Sequence, residues 1–128
     1  MKKVLSFILI STFFIGFLAS CGGSGSSDNS DKTSSNYTPN LENGKAVYDR
    51  ACVACHMQGV AGAAALTDKA RWEESAAKGL DTLHTHALKG YQGKYGVMLE
   101  KGSCADCSET DVYDAVAYIL KEAGVEAK

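Results

Sequence analysis

The residues Cys52-Val53-Ala54-Cys55-His56 determine how the rest of the chain is interpreted. Two cysteines three positions apart, followed at once by a histidine, form the attachment signature of a c-type haem. Each thiol adds to one vinyl group on the porphyrin edge, and one helical turn brings both sulfur atoms to that edge. We therefore predict one haem c bound covalently through Cys52 and Cys55, with the imidazole of His56 as the proximal iron ligand. A metal-free dithiol and half of a zinc site are the alternatives, and neither requires the adjacent histidine.

Hydrophobic periodicity predicts an all-α chain. Apolar residues recur at helical spacing in four segments, which are residues 41–51, 68–78, 82–89 and 109–123. Asp81 is the expected N-cap of the third segment, and Ser108 with Asp111 forms a capping box before the last. Residues 91–98 are rich in glycine and not periodic, which predicts a loop. The indole N–H of Trp72 needs a partner if the ring is buried, and we expect either a haem propionate or simple core packing there.

The iron needs a sixth ligand or an open position, and Met98 is the leading candidate for that ligand. Met98 lies in a loop far downstream of the motif, whereas Met57 directly follows His56 and is confined to the proximal side. A neutral thioether sulfur favours the reduced iron and raises the reduction potential. His84 or His86 could ligate the iron instead. An open iron position would suit a haem enzyme or a gas sensor.

The first 20 residues are typical of an export signal. A basic start is followed by a mostly apolar run, which closes with Leu18-Ala19-Ser20-Cys21. These four residues resemble a bacterial lipoprotein box, in which cleavage precedes a cysteine that carries a diacylglyceryl group. We therefore predict a lipoprotein signal peptide over residues 1–20 and a membrane anchor on Cys21. An uncleaved signal anchor and ordinary cleavage nearby are the alternatives, and all three place the chain on the periplasmic side of a bacterial membrane.

Composition divides the exported chain into a tether and one domain. Residues 22–40 are mainly Gly, Ser, Asn and Asp, which cannot bury enough apolar surface to fold, so residues 21–40 are a predicted flexible tether. Residues 41–128 then form a single monohaem domain. The formal net charge is −2, and loss of Lys2 and Lys3 with the signal peptide makes it more negative. Such a surface gives no reason to expect a nucleic-acid partner.

Further segments accompany the haem motif. They are the GVAGA stretch at residues 59–63, Asp-Lys-Ala-x-Trp at residues 68–72, the loop Met98, and Gly-Ser-Cys-Ala-Asp-Cys-Ser at residues 102–108. Together these segments resemble the class I cytochromes c of the cytochrome c-five type, over about residues 41–123. The resemblance implies an all-α class I cytochrome c fold, with about four helices around one haem and the first and last helices crossing.

The same resemblance implies roles for individual residues. His56 and Met98 are the implied axial ligands, and Cys104 and Cys107 the implied disulfide. An exported protein also favours oxidation of such a cysteine pair. Tyr118 is expected to pack on the first helix near Gly44, although periodicity puts Tyr118 on the opposite face of the last helix from its main apolar stripe.

Two departures from the family pattern concern the ligand regions. Leu99-Glu100 follow Met98 where the family usually has prolines, and Ala64 stands where a proline is often found. In related cytochromes a carbonyl of the segment around Ala64 accepts a hydrogen bond from the proximal histidine. The departures loosen the expected ligand geometry and remove no ligand.

These observations predict a one-electron carrier rather than an enzyme, working with redox partner proteins in a bacterial respiratory or related chain. Four lysines could rim the exposed haem edge and steer an acidic partner: Lys69, Lys89, Lys94 and Lys101. The competing hypotheses are a haem enzyme subunit or gas sensor with open or bis-His iron, and a structural zinc module. A zinc module would use the four cysteines of the two Cys-x-x-Cys pairs. An exchangeable dithiol is the alternative for Cys104 and Cys107.

Overall fold

The structure is a computed structural model, and it describes residues 37–127. The predicted signal peptide over residues 1–20, the predicted lipidation site Cys21 and the predicted tether up to residue 36 lie outside the described residues. Among residues 37–127, none of the helices has the length and apolar character of a membrane span.

The described residues form helices and one short hairpin. The elements are α1 (Leu41–Val47), α2 (Val53–His56), α3 (Lys69–Ala76), α4 (Leu80–Lys89), β1 (Tyr91–Gln92), β2 (Val97–Met98) and α5 (Glu109–Glu122). A π-helical stretch, Tyr48–Cys52, joins α1 to α2, so the haem motif continues the first helix. Each of the four predicted helical segments therefore contains a helix, and the first continues without a break through α2.

The first helix crosses the last at a glycine. Asn40 caps α1, because its side chain accepts hydrogen bonds from the backbone N–H groups of Glu42 and Asn43 at 3.1 Å. One turn further on, Gly44 faces α5 so closely that a Cβ atom there would lie 2.1 Å from the backbone oxygen of Asp114. Only a residue without a side chain permits this approach.

The last helix is covered on two faces. Its predicted capping box is confirmed, since the Ser108 hydroxyl accepts from the Asp111 backbone N–H and the Asp111 carboxylate accepts from the Ser108 backbone N–H. One face buries the predicted apolar stripe, which includes Val112, Ala115, Ile119 and Leu120. On another face the ring of Tyr118 lies 5.4 Å from the ring of Tyr48 on the first helix. The expected packing of Tyr118 beside Gly44 is confirmed.

Polar contacts hold residues 37–40 against α5. The Tyr37 hydroxyl donates to the carboxylate of Asp114, and the Asn40 backbone N–H donates to Asp114 Oδ1 at 2.8 Å. The side-chain amide of Asn43 donates to Asp114 Oδ2, also at 2.8 Å. The side chain of Asp114 is buried, so these donors compensate its desolvation. Residues 37–40, which belong to the predicted tether, are therefore packed against the last helix.

The predicted start of the third helix is wrong. Asp81 lies inside the first turn of α4 and does not cap it, because the helix begins at Leu80. Gly79 takes the N-cap position with φ of 91°, and its carbonyl accepts from the Leu83 N–H at 3.2 Å. A left-handed φ is inexpensive only for glycine, so Gly79 both ends the turn after α3 and starts α4.

The predicted loop over residues 91–98 is a small hairpin. Strands β1 and β2 pair antiparallel, with Tyr91 opposite Met98 and Gln92 opposite Val97. The turn between them closes through a 3.0 Å hydrogen bond from the Gly93 N–H to the Gly96 carbonyl. The hairpin gives Met98 a defined position at its second strand.

Candidate haem-binding site

A cavity of about 540 Å³ lies between the haem motif and the hairpin. Both motif cysteines, His56 and Met98 line it. Most of the remaining lining is apolar or backbone, and includes Ala64, Leu83, Val116 and Ile119. The cavity therefore combines thiols, an imidazole and a thioether with walls suited to a large apolar group.

The two motif cysteines lie at the start of α2. Cys52 occupies its N-cap position, and Cys55 lies within its single turn. Cys52 is half-buried, Cys55 is exposed, and neither takes part in a disulfide. Burial, with a smaller contribution from Cys55, raises the pKa of the Cys52 thiol to about 11.

The imidazole of His56 is oriented by one backbone carbonyl. Its Nδ1 lies 2.9 Å from the carbonyl oxygen of Ala64. Because that oxygen can only accept, Nδ1 donates, and Nε2 is left as the nitrogen able to bind a metal. Burial lowers the pKa of His56, the nearby Arg71 charge acts in the same direction, and the bond to Ala64 opposes them. The lowered pKa favours the neutral ring, the form in which an imidazole binds a metal.

The backbone segment that supplies this carbonyl also accepts a hydrogen bond from the indole of Trp72. Trp72 Nε1 donates to the carbonyl oxygen of Ala65 at 2.7 Å, so its N–H is already used. Of the two expectations, a propionate partner and core packing, the structure shows the indole buried with its N–H on the backbone next to the residue that orients His56. The two rings lie 5.4 Å apart, and Trp72 lines the cavity.

Met98 and the two remaining histidines occupy different environments. Met98 is half-buried on β2 and lines the cavity, whereas Met57 is 54% exposed. His84 is buried and stacks on Tyr113 at 3.7 Å, away from the cavity. His86 reaches the cavity wall, with its ring stacked on another aromatic side chain at 3.8 Å. Of the three candidates for a sixth ligand, Met98 and His86 line the cavity and His84 does not.

Comparison with known proteins places the chain in a family. Residues 39–119 match the family model described as "Cytochrome C oxidase, cbb3-type, subunit III". The chain belongs to the class I c-type cytochromes. This cytochrome is similar to cytochrome c-555 of Chlorobaculum tepidum, with 43% identity over 77 residues, which are 60% of this chain and 71% of that protein.

Two further similarities support the same family. Cytochrome c5 of Ectopseudomonas mendocina is 40% identical over 67 residues, which are 51% of this chain and 72% of that protein. A solved structure described as "Crystal structure of electron transfer complex of nitrite reductase with cytochrome c" contains a chain that is 36% identical, with a TM-score of 0.58. That match covers 67% of this cytochrome and 99% of the other chain. The relatives include both c-555 and c5 cytochromes, so the comparisons establish the class I family and do not single out the c-five type.

Family membership confirms the predicted class I cytochrome c fold, one covalent haem c and a role as electron carrier. The structure fits that cofactor, because the apolar cavity carries both attachment cysteines and an imidazole whose Nε2 is free to bind iron. Cys52 and Cys55 are the attachment residues. The donor set therefore agrees with haem independently of the comparisons.

The second cysteine pair does not contribute to a metal site. Cys104 and Cys107 form a disulfide with their Cα atoms 5.4 Å apart, and both are buried. A zinc module built on four cysteines needs four thiolates, and two of these sulfur atoms are bonded to each other. Within residues 37–127, the one cluster with metal-ligand spacing is Cys104, Asp106 and Cys107, which includes this disulfide. The zinc hypothesis therefore does not fit the structure.

Sequence analysis missed Arg71, which lines the cavity from the first turn of α3. Its guanidinium donates to the backbone carbonyls of Gly62 and Ala63 and stacks on the ring of Tyr95. A basic residue near the start of a polar helix carries no signal that separates this role from a solvated surface charge. The role emerges only when the chain brings both loops to the guanidinium.

Proposed function

We propose that this cytochrome carries one electron on a haem ligated by His56 Nε2 and the thioether sulfur of Met98. When bound, the haem iron supplies a one-electron couple that is reversible without movement of its ligands. The observation that carries the proposal is that both side chains line one cavity, while the hydrogen bond to Ala64 commits Nδ1 of His56 and leaves Nε2 free. The hairpin holds Met98 on a separate segment from the haem motif.

The ferric protein should therefore show a weak charge-transfer band near the red edge of the visible spectrum, which arises from sulfur ligation. We expect Met98→Ala to abolish this band, whereas Met57→Ala should leave it unchanged because Met57 is exposed beside the motif. Absence of the band from the wild-type protein would refute Met98 ligation. It would favour bis-His or open iron, and so an enzyme or gas sensor.

Exposed apolar side chains surround the opening of the cavity, which we call the mouth, and they suit contact with a partner protein. Val60, Val97 and Leu99 all line the cavity and are 53%, 59% and 62% exposed. By contrast, Lys69 and Lys94 pair with acidic residues of this chain. We therefore assign contact with redox partner proteins to the apolar mouth, with the lysine rim in a smaller role.

Electron self-exchange between ferrous and ferric copies tests this assignment without a known partner. We expect Leu99→Glu to slow self-exchange, because like charges would meet at the contact between two copies. Thr85→Glu adds the same charge at an exposed position of α4 outside the cavity lining and is the matched control. Equal rates for the two variants would contradict docking at the mouth.

We also propose that the cytochrome is exported and held at the periplasmic side of a bacterial membrane by lipid on Cys21. The lipoprotein-type sequence ending at Cys21 supports this proposal. Replacing residues 1–20 by a signal peptide that is cleaved without lipidation, together with Cys21→Ser, should release the haem-loaded protein into the soluble periplasmic fraction, whereas the wild type should sediment with membranes. A soluble wild-type protein would refute the anchor without affecting the haem assignment.

A further inference from the structure

Four consecutive carbonyl groups beside the haem motif each accept a side-chain hydrogen bond. Gly62 and Ala63 accept from Arg71 at 2.8 and 2.9 Å. The Ala64 carbonyl accepts from His56, and the Ala65 carbonyl accepts from Trp72. Neighbouring residues of α3 thus hold the carbonyls on both sides of the one that orients the proximal histidine.

The same guanidinium reaches the hairpin that carries Met98. The central carbon of the Arg71 guanidinium lies 3.9 Å from the ring centroid of Tyr95. The two loops also touch through their backbones, since a Cβ atom on Gly62 would lie 1.8 Å from the Tyr95 carbonyl oxygen. Likewise, a Cβ atom on Gly96 would lie 2.2 Å from the Ala61 carbonyl oxygen. Arg71 therefore bridges the place where the proximal segment meets the hairpin.

We propose that Arg71 is a positioning residue that holds the carbonyl segment of His56 and the hairpin of Met98 in one fixed arrangement. This inference rests on the proposed ligation by His56 and Met98. It assigns Arg71 no contact with the iron, because the guanidinium acts through the two loops. The half-buried position of Arg71 strengthens its charge-assisted bonds relative to those of a solvated side chain.

The chemistry requires arginine in particular. A planar guanidinium can donate to two carbonyls while its face rests on an aromatic ring. The ammonium group of lysine keeps the charge, but it has neither the paired N–H donors nor the planar surface of a guanidinium. Arg71→Lys therefore removes the bridge without removing the charge. Arg50→Lys is the matched control, because Arg50 is the only other arginine of the chain and pairs with Asp106 at the surface.

Imidazole titration of the matured ferric protein measures how readily the Met98 loop gives way to an external ligand. We expect Arg71→Lys to bind imidazole at least about tenfold more tightly than the wild type, which corresponds to about 1.4 kcal/mol. Arg50→Lys should stay within about twofold of the wild type, well under that difference. Amide hydrogen exchange should accelerate in residues 62–66 and 95–98 of Arg71→Lys. Unchanged imidazole affinity and unchanged exchange in Arg71→Lys would overturn the proposal.

Tyr95 variants provide a second test that does not alter the arginine. Tyr95→Phe keeps the ring under the guanidinium and should behave as the wild type, whereas Tyr95→Leu should raise imidazole affinity as Arg71→Lys does. Adding Tyr95→Leu to Arg71→Lys should have little further effect on imidazole affinity, because each change already breaks the same contact between the guanidinium and the ring. Fully additive effects would contradict the bridge. If the wild-type ferric protein lacks the charge-transfer band, the proposed ligation by Met98 is refuted, whatever the role of Arg71. Hydrogen exchange in Arg71→Lys then decides whether Arg71 holds the two loops together.

Discussion

An alanine at position 44 tests the close crossing of α1 and α5. Its Cβ atom would lie 2.1 Å from the backbone oxygen of Asp114 and 2.6 Å from its carbonyl carbon. Both obstacles are backbone atoms, so no side-chain rotation relieves the overlap. The helices must separate by about 1 Å, and a gap of that size loses up to about half of the dispersion energy of each contact that it opens.

Two opposing terms set the size of the effect. Alanine is more favourable than glycine inside a helix by about 1 kcal/mol. Overpacking a close-packed contact costs about 1–3 kcal/mol, and an obstacle made of backbone puts Gly44→Ala at the upper end. The net loss in the free energy of unfolding is then about 2 kcal/mol. For a domain of this size, such a loss lowers Tm by about 8–16 °C.

Thermal unfolding of the matured protein, followed by far-UV circular dichroism, measures this change. Ala46→Gly is the control, because residue 46 is exposed on the same helix and should lose about 1 kcal/mol from helix propensity alone. Gly44→Ala should therefore destabilise more than the reverse substitution two residues away. A Tm for Gly44→Ala equal to or above that of the wild type would refute the reasoning.

Three other changes have defined outcomes. Asp114→Ala leaves three buried or partly buried donors without their acceptor and should lower the free energy of urea unfolding by about 3 kcal/mol, against about 1 kcal/mol for Tyr37→Phe. Burial lowers the pKa of His84, so the unfolded chain binds the extra proton. Stability should fall as pH drops below 6.5, more in the wild type than in His84→Phe, and equal Tm profiles would contradict this. Replacing Cys104 and Cys107 by serine should lower the free energy of unfolding by about 2 kcal/mol with the haem retained, and loss of haem attachment would contradict a purely structural disulfide.

Sequence predicted the features that depend on local chemistry. The capping box of Ser108 and Asp111 and the apolar stripe of α5 need only residues within one helix, and both are present. The role of Gly44 was also predictable, because a glycine on the inner face of a helix permits close approach of another. Residues with a fixed chemical pattern, above all Cys52 and Cys55, identified the cofactor.

Features that depend on contacts between loops distant in the sequence could not be predicted. The partner of Trp72 is the Ala65 carbonyl, which a sequence cannot place near the indole. The start of α4 was displaced because Gly79 combines a helix stop with a left-handed N-cap. Arg71 gave no signal, since its role exists only where the proximal segment packs on the hairpin at Tyr95.

The central claim is that one haem is bonded to the polypeptide through Cys52 and Cys55. The most direct measurement is the intact mass of the denatured protein after expression with haem-attachment machinery. We predict the mass of the processed chain, with any lipid, plus one haem, and loss of that haem mass in a variant with alanine at both cysteines. A denatured wild-type chain that weighs no more than its amino acids and lipid would contradict the claim.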